Sequence, residues 1–247
     1  MQLFGHTRTS IHRNHAFIAP DGHVQAPLPG WAKTQGTILI SPHMGAGFTM
    51  YLATMEAAAT AGHPLPAIQR FLYVLEGNLT LEDTSRKHTL HQGWYAYIPV
   101  EAEHLLTADT PSQLVIFEKP YIPIEDLDPP DLLVGNAADQ PSAAFMGDEA
   151  AQLKPLLPDE LPFDMAVNLF TFQPGTPLPF VETHIMEHGL LMLEGGGIYR
   201  LEEHWYPIQA GDVLWMGPYC PQWFGALGKS QSTYLYYKNM NRDALIL

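Results

Sequence analysis

The densest group of ligand-type side chains lies between residues 181 and 188. Glu182, His184 and His188 are separated there by even numbers of residues. On a β-strand, even spacing places side chains on one face, whereas on a helix Glu182 would lie far from the two histidines. The apolar residues around the group are typical of a strand. The sequence therefore predicts that a carboxylate and two imidazoles project together from one strand.

One carboxylate and two imidazoles form a set of donors that suits a divalent metal ion such as Mn²⁺ or Fe(II). Zinc is an alternative, although a glutamate without any thiolate favours it less. The simplest competing interpretation is a polar row on a surface strand that faces solvent. The metal site is favoured because three ligand-type residues occupy even-numbered positions and apolar residues occupy odd-numbered positions beside them.

Short strands are predicted to position this group. The chain has 20 glycines and 22 prolines among its 247 residues, and 46% of it is apolar. This composition favours many short strands around a sizeable core over long helices. Apolar stretches with flanking turn residues follow one another at 37–40, 48–55, 71–77, 94–99 and 113–118. Strand-like sequence resumes at Asp164 and continues to Tyr237, so the sequence predicts an all-β fold.

Two segments differ from these strands. Residues 1–30 are rich in His, Pro and Gly and are predicted to form an arm on the surface of the following domain. Residues 121–160 are predicted to connect two β-rich regions and to contain a short helix near 147–154.

The chain also contains an internal repeat. Residues 71–77 align with residues 189–195 at an offset of 118, and the same offset places Gly93 on Gly211. A gap-free match of separate landmarks favours two copies of one β-rich unit. A single large sandwich whose turns recur by accident is the alternative.

The two copies do not carry the same chemistry. The offset places Pro64, Pro66 and Arg70 opposite the three ligand-type residues, so the first copy lacks this group. His104 of the first copy aligns with Gln222 of the second. We therefore expect His104 to be a remnant that packs or forms hydrogen bonds, and we expect chemistry in the second copy only.

The spacing in the second copy resembles a family motif. The first part is Gly175-x6-Glu182-x-His184-x3-His188-x6-Gly195. It resembles the first cupin motif, with Glu in place of the first His and His in place of the usual Glu.

The second cupin motif is similar to Gly211-x5-Gly217-x-Tyr219-x2-Gln222, where Gln222 replaces the usual histidine ligand. The first copy keeps only the skeleton of that motif. The unusual Glu–His–His–Gln set resembles that of the (S)-ureidoglycine aminohydrolase family, as do the stretches 17–22, 37–42, 70–77, 182–189 and 237–243.

This resemblance implies a bicupin, which consists of two tandem double-stranded β-helix (jelly-roll) barrels joined by a short helical connector. Residues 1–125 would form the N-terminal barrel with its arm and a degenerate metal site. Residues 126–247 would form the connector and the C-terminal barrel with the metal-binding active site.

The family also implies roles for individual residues. Mn²⁺ would be the metal ion, with Fe²⁺ or Zn²⁺ as alternatives, and its ligands would be Glu182, His184, His188 and Gln222. Tyr199, Tyr234 and Lys238 would bind the substrate, and Tyr199 and Lys238 would also be catalytic. Lys238 ends an aromatic strand in a lysine-poor chain, where a cation could pair with the carboxylate of a small acid.

The implied reaction converts (S)-ureidoglycine to (S)-ureidoglycolate and ammonia in purine and allantoin degradation. The chain would then be a hydrolase acting on C–N bonds, with a small ureido acid as substrate. Two alternatives stay open: an Fe(II) cupin oxygenase acting on a small organic acid, and a non-catalytic bicupin with a structural metal ion.

Charge and composition exclude other classes. Twelve basic residues against 26 acidic ones give a formal net charge of −14, which repels nucleic acids and anionic membranes. The sequence contains no signal-like or membrane-spanning apolar run, and Cys220 is its one cysteine. We therefore expect a cytoplasmic protein, and we expect it to form a homo-oligomer.

Overall fold

The computed structural model describes residues 6–243, and this part of the chain is all-β. Within it lie 21 strands, three short 3₁₀ segments (Pro20–Gly22, Pro42–Met44 and Ala137–Asp139) and no α-helix. The strands are β1 (Ser10–Ile11), β2 (His15–Ile18), β3 (Ala26–Pro27), β4 (Ala32–Ile40), β5 (Thr49–Thr60), β6 (Ile68–Glu76), β7 (Asn78–Asp83), β8 (Lys87–His91), β9 (Trp94–Ile98), β10 (His104–Ala108), β11 (Ser112–Pro120), β12 (Leu133–Asn136), β13 (Ala143–Phe145), β14 (Asp148–Pro155), β15 (Met165–Phe172), β16 (His188–Glu194), β17 (Gly196–Leu201), β18 (His204–Gln209), β19 (Val213–Met216), β20 (Gln222–Ala226) and β21 (Ser232–Asn239). None of the helical segments in the described part has the length and apolarity that crossing a membrane requires.

The strands form three antiparallel sheets. The first sheet has ten strands in the order β12-β9-β6-β11-β5-β10-β7-β8, with β4 and β3 added beside β5. It curls into a nearly closed barrel, because the long strand β5 pairs with β4, β10 and β11. The second sheet has eight strands in the order β1-β2-β19-β16-β21-β15-β14-β13, and the third has the order β18-β17-β20.

Three apolar clusters fill the protein. One lies inside the first sheet, and one lies between the second and third sheets. The largest, which we call the shared core, lies between the first and second sheets and contains Phe71, Phe117, Trp215 and Tyr237. Strands beside the shared core are buried on both faces, which explains why their sequences are continuous apolar runs without polar alternation.

Some strands of the two halves recur at the offset of the internal repeat. The offset of 118 residues relates β7 to β17 and β10 to β20 at both ends. The same offset relates Gly77 to Gly195 and Gly93 to Gly211, and all four have positive φ. Since such φ values favour glycine, the repeated glycines mark turns that both halves share.

Each half of the chain contributes a strand to the sheet of the other half. Strand β2 of the N-terminal segment pairs with β19 in the second sheet, and β12 pairs with β9 in the first. The four residues of β2 are buried. The expectation that this segment lies on the surface is therefore wrong for β2, whose neighbours cover it on both faces.

The helix expected near 147–154 is also wrong, and with it the helical connector. Residues 148–155 form β14, which pairs with β13 and with β15. Met146 and Gly147, with φ of 52° and 87°, form the two-residue turn between β13 and β14. A turn with positive φ at both central residues favours a hairpin. Pairing on both sides then outweighs the helix propensity of the alanine-containing sequence.

A buried ion pair joins the two halves. Lys119 Nζ lies 2.8 Å from Asp164 Oδ2, and both side chains are nearly inaccessible to solvent. The carboxylate of Asp164 also accepts hydrogen bonds from Gln69 Nε2 at 2.6 Å and from Ile122 N at 3.0 Å. Tyr97 OH donates to Gln69 Oε1 at 2.8 Å. Asp164 therefore has several partners in the first half of the chain.

Replacing Lys119 by Met removes the cation and keeps a side chain of similar length. Asp164 is then buried without its ion-pair partner, so we expect the free energy of unfolding to fall by about 3–5 kcal/mol. Urea denaturation followed by circular dichroism measures the loss. Lys87→Met, which removes the exposed Lys87–Glu82 pair, is the control and should cost less than about 1 kcal/mol. A loss no larger than that of the control would contradict the prediction.

Candidate functional site

The ligand-type residues are brought together by a bridge and a loop rather than by one strand. Glu182 forms an isolated backbone bridge with Gln222, the first residue of β20, and His188 is the first residue of β16. The single strand expected over 182–188 is therefore wrong. The loop between Glu182 and His188 does not pair as a strand. It is held by a backbone hydrogen bond, in which Tyr219 N donates to His184 O at 2.7 Å.

The side chains nevertheless converge. Gln222 Nε2 lies 3.0 Å from His184 Nε2 and 3.4 Å from His188 Nδ1. Tyr199 OH donates to Gln222 Oε1 at 3.3 Å. His184 Nδ1 lies 3.0 Å from Met186 O, a contact in which the nitrogen must donate. His184 Nε2 therefore keeps its lone pair and directs it toward Gln222.

A small buried cavity of about 40 Å³ lies at this convergence. Its lining consists of Phe145, Phe170, Glu182, His188, Leu190, Tyr199, Gln222, Tyr234 and Tyr236. Five of the seven predicted site residues are in this set, and His184 and Lys238 are not. A larger cavity of about 500 Å³ beside Tyr73 and Leu191 contains none of the seven.

His188 has an unpaired polar atom in this lining. Its Nε2 is buried and has no hydrogen-bond partner in the part of the chain that the structure describes. Burial holds the pKa of His188 well below its usual value, with further lowering by the charges of His184 and Lys238. The ring is therefore neutral at pH 7. A buried nitrogen without a partner is costly, which indicates that a ligand satisfies it in the working protein.

The charge of Lys238 acts on this group from the neighbouring strand. Lys238 lies directly opposite His188 in the pairing of β21 with β16. Burial raises the pKa of Glu182, and the positive charge of Lys238 partly opposes that rise. Within residues 6–243 the ammonium forms neither an ion pair nor a hydrogen bond, and it borders a second cavity of about 410 Å³. It is thus available to an anionic ligand.

Two tyrosines place phenol groups in the wall of the small cavity. Tyr199 and Tyr234 are almost fully buried, and burial raises the pKa of each hydroxyl well above its usual value. Both therefore remain protonated and can donate hydrogen bonds. Tyr236 also lines the cavity and was missed at the sequence level. The signal was present, because Tyr234, Tyr236 and Lys238 have the two-residue spacing of one strand face.

The equivalent position in the first half holds an internal ion pair. Arg70, the counterpart of His188, is 1% exposed. Its Nε lies 2.7 Å from Glu118 Oε1, and its Nη1 donates to Gly62 O at 2.9 Å. Its guanidinium lies 5.1 Å from the centroid of the Trp31 ring. A side-chain cation therefore lies in the first half where the second half has an imidazole and a cavity.

His104 behaves as the sequence predicts. It is nearly buried, and its Nδ1 lies 2.7 Å from Ala102 O, a hydrogen-bond distance. Its ring packs edge-on against that of His63, with centroids 4.8 Å apart. The residue thus packs and forms a hydrogen bond, and none of the other predicted ligand residues lies beside it.

His104 should make stability depend on pH. Burial lowers its pKa, and the positive charges of Arg70 and His63 lower it further. The pKa of a histidine in the unfolded chain is near 6.5. Below that pH the unfolded chain therefore binds a proton at this position more readily than the folded chain does. We expect the free energy of unfolding to fall as the pH drops through about 6.5, and to fall less in His104→Gln. Denaturation at several pH values tests this, with exposed His43→Gln as control. Equal slopes for His104→Gln and the wild type would contradict it.

A second histidine cluster lies away from the cavity. His12, His15 and His204 have ligand atoms within 4.8 Å of one another, so this cluster could hold a metal ion. Sequence spacing gave no signal for it, because His204 is remote from the other two along the chain.

Solved structures show the class of fold. The crystal structure of the E. coli protein Ylba is 32% identical, covers 96% of this chain and 96% of its own, and superposes with a TM-score of 0.86. Oxalate decarboxylase of Bacillus subtilis, a protein with Mn(II) centres, is 10% identical and covers 97% of this chain and 80% of its own, with a TM-score of 0.71. The protein is an all-β protein of the cupin type.

Curated sequences identify the family. The (S)-ureidoglycine aminohydrolase of Arabidopsis thaliana is 44% identical over 98% of this chain and 81% of its own length. The (S)-ureidoglycine aminohydrolase of Escherichia coli is 35% identical over 95% of this chain and 92% of its own. No family model matches the chain. The chain belongs to the (S)-ureidoglycine aminohydrolase family, and the resemblance seen in the sequence is confirmed. The family is one of hydrolases.

Proposed function

We propose that this protein converts (S)-ureidoglycine to (S)-ureidoglycolate and ammonia in allantoin degradation. The observation that carries the proposal is the convergence of Glu182, His188 and Gln222 on one buried cavity in a member of this family. In the reaction the C–N bond to the amine breaks, water supplies the hydroxyl group to that carbon, and ammonia leaves with the remaining proton.

We propose Mn²⁺ as the metal ion, with Fe²⁺ and Zn²⁺ as alternatives. Its ligands would be Glu182, His184, His188 and Gln222. The neutral histidines and the buried carboxylate support this set. A cation would satisfy His188 Nε2, which lacks a hydrogen-bond partner in the described part of the chain, and it would stabilise the ionised Glu182. Mixed oxygen and imidazole donors without thiolate suit Mn²⁺ and Fe²⁺. The Mn(II) centres of oxalate decarboxylase, a protein of the same fold, are consistent with the choice.

Gln222 needs one change to serve as a ligand. Its Nε2 now faces the histidines, and its Oε1 accepts from Tyr199 OH. Metal ions bind the amide oxygen, so the terminal amide would present Oε1 to the ion and Nε2 to Tyr199. The Tyr199 hydroxyl can accept such a hydrogen bond as readily as it donates one.

The side chains around the cavity would bind and orient the substrate. When bound, the metal ion would supply a Lewis acid and a template. Lys238 would hold the carboxylate of the substrate, because its ammonium has no ion-pair or hydrogen-bond partner among residues 6–243 and its charge acts on Glu182. The protonated hydroxyls of Tyr199 and Tyr234 would donate hydrogen bonds to the ureido group. In this assignment Tyr199 and Lys238 are catalytic residues.

The first half would support the site from outside. Glu187 lies in the loop between His184 and His188, and its carboxylate accepts from Gly47 N at 2.9 and 3.1 Å. Glu187 N donates to Asn239 Oδ1 at 2.7 Å. These contacts tie the loop to the first half of the chain on one side and to β21 on the other. We therefore propose that the first half positions the loop.

Architecture, assembly and location are part of the proposal. The two separate inner clusters and the strand repeat support a bicupin of two barrels, divided near residue 125. Phe180 and Val181, which precede the cavity loop, and Tyr219, whose backbone N donates to His184 O, have exposed apolar side chains, and this supports a homo-oligomer. A single cysteine, Cys220, is consistent with a cytoplasmic location.

An ammonia-release assay tests the function. Protein stripped of metal should release ammonia from fresh (S)-ureidoglycine only after Mn²⁺ is added. Glu182→Gln removes a charged ligand, so we expect its Mn²⁺ affinity to fall by more than about a hundredfold and its activity to disappear. Glu56→Gln, at an exposed position on β5, is the matched control and should behave like the wild type.

Other results would contradict the proposal in distinct ways. Mn²⁺ binding without ammonia release would remove the substrate assignment. Oxygen consumption with Fe²⁺ would favour a cupin oxygenase, and bound metal without turnover of any small acid would favour a non-catalytic protein. Equal Mn²⁺ binding by Glu182→Gln and the wild type would remove Glu182 from the ligand set.

Lys238→Met should weaken substrate binding. A charge-assisted hydrogen bond contributes about 1.5–3 kcal/mol, so we expect KM to rise by about ten- to a hundredfold at saturating Mn²⁺. Lys238→Arg keeps the charge and should recover part of the loss. Steady-state kinetics measure both variants, and Lys229→Met, at an exposed position, is the control. An unchanged KM in Lys238→Met would show that this cation does not bind the substrate.

A further inference from the structure

A cavity of about 500 Å³ lies between the first and second sheets, beside the shared core, and we call it the inter-sheet cavity. Its volume falls in the range of small-molecule sites, about 300–1000 Å³. Its walls include residues of β6 and β16 and of the turns before β9 and β19. Both halves of the chain therefore enclose it, and none of the seven residues proposed for the reaction lines it.

The internal repeat accounts for the position of the inter-sheet cavity. Tyr73 and Leu75 of β6 line one side, and their counterparts at the offset of 118, Leu191 and Leu193 of β16, line the other. The equivalent turn glycines that precede β9 and β19 line it as well. The cavity thus lies where corresponding parts of the two halves face each other. The halves differ in chemistry there, because a phenol in the first half corresponds to a leucine in the second.

Leucines from both sheets form the apolar walls. Leu52 and Leu75 belong to the first sheet, and Leu191 and Leu193 belong to the second. Leu191 is part of the shared core, and the other three pack against it. Packed sheets lie about 10 Å apart, so a flat molecule between these leucines would place one face against each sheet. The walls therefore suit a planar body.

Polar side chains of the lining have unused hydrogen-bonding groups. The hydroxyl of Tyr73 and the side-chain amides of Gln92 and Gln113 form no hydrogen bond with other residues in the 6–243 range. A Cβ atom added to Gly93 would lie 3.9 Å from Tyr73 OH, so this hydroxyl lies beside the turn that carries Gln92. Burial raises the pKa of Tyr73, which therefore stays protonated. These groups can both donate to and accept from a ligand.

The charge of the lining disfavours an anion. Among the described residues that line the cavity, Glu76 is acidic and none is a lysine or an arginine. His23 also lines it, and burial lowers the pKa of this histidine, so its ring is neutral at pH 7. A carboxylate or phosphate here would meet Glu76 without a counter-ion. An uncharged molecule would meet neutral donors and acceptors.

We propose that the inter-sheet cavity binds a planar, uncharged heterocycle that carries amide-type N–H and C=O groups. The leucines contact the faces of its ring, and Tyr73, Gln92 and Gln113 form hydrogen bonds with its polar edge. Pyrimidine bases, purine bases and cyclic ureides belong to this chemical class. The inference does not depend on the proposed reaction, because the residues proposed for that reaction lie outside this cavity.

Saturation-transfer difference NMR on the 247-residue chain, with uracil as the probe, tests the inference. Uracil is a planar ring with N–H and C=O groups and is uncharged at pH 7. We expect it to bind with a Kd of about 1 mM or lower, as a small and efficiently bound ligand does. Orotate, which is the same ring with a carboxylate, should bind at least about tenfold more weakly because its charge meets Glu76.

Variants locate the bound probe. Tyr73→Phe and Gln113→Leu each remove one hydrogen-bonding group, so each should raise the Kd of uracil by about three- to tenfold. Gln231→Leu is the matched control, because Gln231 is the counterpart of Gln113 at the offset of 118, is exposed and does not line the cavity. This control and Glu182→Gln should bind uracil as the wild type does.

The opposite results would overturn the inference. Failure of the wild type to bind uracil would remove the assigned ligand class, and equal binding of orotate would contradict the role of charge. Equal Kd values for wild type, Tyr73→Phe and Gln113→Leu would place the probe outside this cavity. Loss of uracil binding in Glu182→Gln would assign it to the cavity around that residue. Matching melting temperatures of wild type and variants show that a change in Kd reports the site and not the fold.

Discussion

The structure depends on strands that are buried on both faces. In β16, Leu190 and Met192 belong to the inner cluster of the second half, whereas Leu191 lies in the shared core. Strand β21 alternates in the same way, with Tyr234 facing inward and Tyr237 facing the first half. Whether a residue lies at an odd or an even position along these strands therefore decides whether its side chain can reach the cavity. Any shift of register by one residue would move the polar side chains into the shared core and the apolar ones into the cavity.

This constraint explains what could be predicted from the sequence. Short apolar runs, repeated glycines and the 118-residue offset indicated the strands and the two related halves, because turns and burial leave local signals. The candidate site was partly predictable, since its ligand types lie close together in sequence. Strand β14 was missed because its own residues do not favour a strand. Its pairing with β13 and β15 stabilises the strand conformation. The burial of β2 and the cluster around His204 were missed because they depend on contacts between opposite ends of the chain.

The two halves satisfy the same position in different ways. In the first half, Arg70 and Glu118 form an ion pair inside the protein. The positive charge there belongs to a side chain. In the second half, His188 lies beside Glu182 at the corresponding place, and its Nε2 has no hydrogen-bond partner among residues 6–243. The ion pair of the first half is therefore complete within the chain, whereas the function proposed for the second half uses an ion from solution. This difference restricts the proposed chemistry to one cavity even though the strand frameworks correspond.

The exchange of strands between the halves has a consequence for synthesis. Strand β2 (His15–Ile18) leaves the ribosome long before its partner β19 (Val213–Met216) exists. At roughly 5–20 residues per second, about 200 residues of delay correspond to about 10–40 s. During that time the first half can form most of its own sheet, but β12, which covers β9, arrives late and β2 has no partner at all. The contact order of the chain is correspondingly high. The sheet that contains β2 can be completed only after the last third of the sequence has been synthesised.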